Sequence, residues 1–170
     1  MSRAFIKEVD SPPDDSGDLP LSANPNYVTP RGLRLLRERF DAAEQRLALV
    51  GDSAMHAGER SSLKRELRWL RARLLAAIEI APEPGHRPQR AGFGHQVDLV
   101  ELESGAAHRY RIVGEDEADP ARGLLSWVAP LARAVNGAAR GDIVNWPRPA
   151  GDLEVQIADI VVVADDPAGA

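Results

Sequence analysis

Two acids stand in a glycine-bounded break, Gly51-Asp52-Ser53-Ala54-Met55-His56-Ala57-Gly58, with Asp52 inside it and Glu59 just past it. They are seven residues apart. On a continuous helix that spacing would put them on one face, but the glycines interrupt it, so the carboxylates converge only if the loop folds back. The simpler reading is that Asp52 caps a helix and Glu59 favours the positive end of the next one. Other reactive groups are sparse. The four histidines, His56, His86, His95 and His108, are scattered, and none pairs at metal-ligand spacing. Cysteine is absent, which excludes a disulfide framework, a thiolate metal site and a thiol nucleophile. Ser126 with His108 or His95 lacks the context of a catalytic triad. The chain therefore reads as a binding protein with, at most, acids to offer at one turn.

The elements flanking that turn have the clearest periodicity in the sequence. Leu33, Leu36, Phe40, Ala43, Leu47 and Val50 step by three and four, and so do Leu63, Leu67, Leu70, Leu74 and Ala77. This heptad spacing keeps one apolar seam facing a partner helix. It predicts an antiparallel coiled-coil hairpin over 30–80, opened by Thr29 as N-cap and Pro30 at the first helical position. The off-seam Leu35, Leu49, Trp69 and Leu75 are expected where the hairpin meets the rest of the molecule. Residues 1–29, rich in Pro, Asp and Ser, are expected to be a disordered acidic tail, and 81–92 a Pro/Gly linker.

Beyond the linker the period changes to two. Alternation around Val97–Leu102, His108–Val113, Asp142–Trp146, Leu153–Ile157 and Ala158–Val163 predicts strands. Pro130–Val135 followed by Asn136-Gly137 predicts one short helix with a left-handed cap. The fold class is thus α+β: a helical hairpin, then a small antiparallel β domain over 93–164, with 165–170 a loose tail.

Charge divides along the same line. The 170-residue chain carries a net charge of −5, yet 11 of its 21 basic residues fall within 30–80. Arg60, Lys64, Arg68 and Arg71 are expected to form the hairpin's basic face. An acidic chain with a basic arm argues against sequence-specific nucleic-acid binding and for two surfaces with different partners. No long apolar run resembles a signal peptide or membrane span, so a soluble, cytoplasmic monomer is expected.

Several segments resemble the GreA/GreB family of bacterial transcription elongation factors. "MSRAFIKE" and "NYVTPRGLRLLRERF" are similar to the opening of GreB-type factors. "YRIVGEDEAD", "LSWVAPLARAVNG" and "GDIVNWPRPAGDLEVQIADI" follow the Gre C-terminal domain. The resemblance implies that the β domain is FKBP-like and docks at the secondary channel of bacterial RNA polymerase, with Ser126, Trp127, Pro130 and Arg133 as docking candidates. Ala129 stands where the family usually has Ser. It implies that the hairpin enters the channel, where the family's tip motif Gly-Asp-x-x-Glu-Asn helps hold a Mg²⁺ shared with the polymerase active site. Here Gly51-Asp52 fits the start of that motif, but Met55 and His56 occupy the places of the second acid and the Asn. The arms are also shorter than the family's by roughly a heptad or more on each side, about 10 Å of reach. The expectation is therefore a polymerase binder with weak or no stimulation of transcript cleavage and no metal or cofactor of its own. It would not be an enzyme but at most a factor that stimulates the polymerase's intrinsic RNA cleavage. The alternatives are an active cleavage factor using Asp52 and Glu59 and, remotely, a peptidyl-prolyl isomerase. The latter would need aromatics around a pocket, and the domain offers only Phe93, Tyr110, Trp127 and Trp146.

Overall fold

A computed structural model of the chain describes residues 17–51 and 53–164. Helix α1 spans Pro30–Leu49 and begins as its sequence requires: the Gly32 N–H donates to Thr29 Oγ1 at 2.9 Å, with Pro30 in the first turn. A short 3-10 turn at Ala54–His56 runs directly into α2, Ala57–Leu75. Gly58, read from sequence as the far edge of the break, therefore lies inside α2. The helices pack through their seams. Leu33, Leu36, Ala43, Leu63 and Leu70 are buried, with Phe40, Leu47, Val50, Leu67 and Leu74 packed against them. Two cross-helix ion pairs give the direction, Arg39–Glu66 at 3.3 Å and Arg46–Glu59 at 3.2 Å. Seven residues up one arm match seven down the other, so the helices are antiparallel. Leu36 and Leu70, at 2% and 0% exposure, contribute roughly 2 kcal/mol each by burial.

The ends of the hairpin are tied together by a parallel two-stranded ribbon, β1 (Asn26–Val28) with β2 (Ala77–Glu79). This corrects the expected boundaries at 29 and 80. Asn26, Val28 and Thr29 are buried, and the Asn26 side-chain amide donates to the Arg73 carbonyl at 2.7 Å. Polar composition hid this order because the strand is stabilised by partners from the hairpin and body, not by its own apolar content. Residues 1–16 and 165–170 of the expected tails lie outside the described residues.

The body is a five-stranded sheet in the order β5-β4-β3-β7-β6, made of β3 (Gln96–Glu101), β4 (Ala107–Val113), β5 (Leu124–Ser126), β6 (Ile143–Trp146) and β7 (Leu153–Val161). Along β7, Leu153, Val155 and Ile157 are buried while Glu154, Gln156 and Ala158 are exposed, the alternation of a strand with one wet face. Helix α3, Pro130–Val135, covers the inner face, and Leu131 and Val135 join Val97, Leu99, Ile112 and Ile160 in the core. Gly137, at φ +80°, takes the left-handed position expected after α3. Three features depart from the sequence reading. The two expected C-terminal strands are one. The sheet is not wholly antiparallel, because β5 pairs parallel with β4. The expected 81–92 linker is pinned to the body: Gly85 N–H donates to the Val162 carbonyl at 2.8 Å, Val162 N–H to His86 at 2.9 Å, and Ala91 is buried.

Two off-seam expectations also fail. Leu49 and Leu75 are 85% and 83% exposed and do not pack at the hairpin–body junction.

Candidate functional site

The tip of the hairpin places Glu59 in the first turn of α2, where a carboxylate complements the positive helix end. Its carboxylate is engaged by Arg46. Beside it Met55 is 91% exposed, and Ser53 Oγ lies 2.8 Å from His56 Nδ1. Arg60 turns back to donate to the Val50 carbonyl at 3.3 Å, so it belongs to the tip. Asp52 lies outside the described residues. Among the described residues, Glu59 is the sole acid between Glu44 and Glu66.

The remaining three residues of the expected basic face, Lys64, Arg68 and Arg71, are exposed along one side of α2. Arg68 pairs with Asp18 at 2.8 Å, and the Arg71 guanidinium lies over the Phe40 ring at 5.8 Å.

At the opposite end, the loop after β4 grips the hairpin with three consecutive acids. Glu117 is buried and accepts from Thr29 Oγ1 at 2.5 Å and from Arg31 at 2.9 Å. Asp116 accepts from Arg73 Nε at 2.7 Å, and Glu115 lies 3.8 Å from the same guanidinium. Arg73 is only 4% exposed, so these acids offset the cost of burying its charge. Glycine is required at 114, where a Cβ would lie 2.5 Å from the Tyr27 carbonyl oxygen; a Cβ on Gly32 would lie 2.7 Å from Glu117 Oε2, so that carboxylate would have to shift. Sequence reading assigned the Gly114-Glu115-Asp116-Glu117 run no contacts. The available signal was composition alone, three consecutive acids in a chain whose helices carry Arg31 and Arg73 at their outer ends.

The docking candidates cluster around the start of α3 but do not form one surface. Ser126 ends β5 half-buried, its hydroxyl without a hydrogen-bond partner among the described residues, so neither His108 nor His95 is placed to activate it. His108 instead meets Glu101 at 2.8 Å. Trp127 packs edge-on against Tyr27 at 5.0 Å, joining body to hairpin base. Trp127 and exposed Arg133 line a cavity of about 250 Å³ with Tyr27 and Phe93. Pro130, also exposed, opens onto a separate groove of about 510 Å³, walled by Tyr110, Leu125, Trp146, Pro147 and Pro149. Ala129 caps α3 without any side-chain hydrogen bond. The four aromatics considered for an isomerase pocket are thus divided between two cavities.

The family model described as "Transcription elongation factor, GreA/GreB, C-term" matches residues 86–161. The chain is 30% identical over 147 residues to the transcription elongation factor GreA of Ralstonia nicotianae, covering 76% of this chain and 93% of that protein. It is 29% identical over 158 residues to the transcription elongation factor GreB of Neisseria meningitidis serogroup B, covering 83% of this chain and 96% of that protein. Among solved structures, the GreA factor homolog 1 (Gfh1) protein of Thermus thermophilus superposes over 81% of this chain and 99% of that one, at 20% identity and a TM-score of 0.39. The family match covers most of the body, and the two full-length relatives extend it across the hairpin: this chain belongs to the GreA/GreB family of transcription elongation factors.

Proposed function

We propose that this chain binds bacterial RNA polymerase at its secondary channel and stimulates transcript cleavage weakly or not at all. The observation that carries this reading is the chemistry of the tip. Glu59 is paired to Arg46, and the place of the second acid is taken by Met55, whose thioether is almost fully exposed. The magnesium of the cleavage reaction belongs to the polymerase, and a factor contributes carboxylate oxygens to it. A thioether is a poor ligand for so hard a cation. The described tip residues do not fit that task, so no hydrolytic step is assigned to this chain and no cofactor of its own is invoked.

Length supports the same reading. The 20-residue α1 reaches about 30 Å, and a docked hairpin a heptad shorter than the family's stops about 10 Å short of the reacting phosphate. The antiparallel pairing and apolar seam support a coiled-coil hairpin, and the curled sheet with α3 across it supports an FKBP-like body. Two separate cavities are the proposed docking surfaces, the apolar groove at Pro130 and the cavity lined by Trp127 and Arg133, with Ser126 next to Trp127 in the chain. Lys64, Arg68 and Arg71 supply attraction toward an acidic channel rim. The division of Phe93 and Trp127 from Tyr110 and Trp146 speaks against isomerase activity. No described helix is long and apolar enough to cross a membrane. We propose a cytoplasmic monomer.

The test is co-elution with purified core polymerase, followed by competition with a cleavage-stimulating family member. The expected result is a stable complex and a dose-dependent loss of the competitor's cleavage stimulation. Absence of co-elution at micromolar concentration would sink the proposal.

A further inference from the structure

The described chain preceding the hairpin lies back along it. The Asp18 carboxylate accepts from Arg68 Nε at 2.8 Å, and the Pro20 carbonyl accepts from the Trp69 indole N–H at 3.1 Å. Ser22 Oγ and the Asn24 amide both donate to Glu115, at 3.0 and 3.2 Å. As the chain advances from Asp18 to Asn26, its partners on α2 advance from Arg68 to Arg73. The segment therefore runs parallel to α2, with Asp18 over the cationic stripe of Lys64, Arg68 and Arg71. These residues are spaced four and three apart on one exposed face, roughly 10 Å long. Lys64 is the next cation toward the tip from Arg68. In sequence, Asp18 is preceded by Glu8, Asp10, Asp14 and Asp15, with no basic residue between Glu8 and Asp18.

We infer that this stripe of α2 is a binding surface for acidic polypeptide, and that its resident occupant is the chain's own Gly17–Asn24 segment, a mask that an acidic partner displaces. Both groups of the Asp18–Arg68 pair are more than half exposed. Such a pair shifts an equilibrium by roughly five-fold at most, so the mask weakens binding without abolishing it. Protein is favoured over nucleic acid because the stripe offers no open aromatic platform for bases. Trp69 is half-buried and its N–H is already bonded.

The proposal concerns α2 alone and is tested without polymerase. A fluorescein-labelled ten-residue glutamate peptide is titrated by anisotropy at about 20 mM salt, where exposed charges are weakly screened. The full chain is compared with the D18N variant. The variant is expected to bind the peptide about two- to five-fold more tightly. Adding R68A to that variant should remove the gain. A control neutralised equally elsewhere, E154Q, should show less than half of it. Equal affinities for the full chain and D18N, or an equal gain in the control, would overturn the mask. As a second readout, the Trp69 indole N–H resonance of the unmodified chain should move on adding the peptide. If it stays fixed at saturation, the segment is not displaced and the inference fails.

Discussion

Glu117 has two hydrogen-bond partners from the hairpin and almost no solvent, so its removal leaves Arg31 and Thr29 facing a buried gap. Breaking one side of a buried pair costs about 3 kcal/mol, and Glu117→Ala should lower the unfolding free energy by that order in chemical denaturation. Gly114→Ala tests the same junction sterically. Its methyl meets the Tyr27 carbonyl oxygen, which belongs to backbone and gives little, so a loss of about 1–3 kcal/mol is expected by the same measurement. His95 reports pH. Burial pushes its imidazole below the ordinary value; a hydrogen bond with the Arg90 backbone opposes this, and nearby His86 adds to it. The unfolded chain therefore takes up this proton first as pH falls. The His95 contribution to stability should decline below about pH 6.5 and level off once the folded imidazole is also protonated. Thermal melts at pH 7.5 and 5.5 should show that His95→Gln flattens the difference. At this scale little was legible beforehand. The acids at 115–117 and the glycines at 32 and 114 matter through contacts roughly 40 to 90 residues apart in sequence, which no local pattern encodes.

Among the elements, the two long helices are the part the sequence described best, because apolar spacing of three and four is a local signal. Their stability should come from the seam and not from the ion pairs flanking it. Leu70→Ala should cost about 2–5 kcal/mol, whereas Arg46→Ala, which frees a half-exposed Glu59, should cost less than about 1 kcal/mol. Helical circular dichroism during denaturation distinguishes the two. The short elements were not legible for the same physical reason in reverse. β1, β2 and β5 have three residues each, too few for alternation to register, and each exists because a neighbour supplies its hydrogen bonds. The 81–92 stretch reads as a linker by composition, yet its backbone bonds to Val162 and Ala138 hold it on the body. Exposed Leu49 and Leu75 show the limit of hydropathy at helix ends, where a side chain falls beyond the last residue that could cover it.

At the scale of the whole molecule, family membership and tip chemistry pull apart. Body and hairpin follow the GreA/GreB pattern over most of the chain. At the tip Met55 and His56 stand where the resemblance leads one to expect the second acid and the asparagine, and Glu59, outside that motif, is paired to Arg46. The sequence already revealed this departure, since it depends on residue identity. What it did not reveal was that Arg46 occupies Glu59, a contact set by helix register. The buried acid–arginine junction fixes where the tip stands relative to the body, so reach is a property of the assembled molecule. The most direct measurement is the rate of RNA cleavage in backtracked elongation complexes at saturating protein and millimolar magnesium. A rate within about two-fold of polymerase alone is expected, unchanged by Glu59→Ala or Asp52→Ala. Stimulation of a hundred-fold or more, lost in either variant, would contradict it.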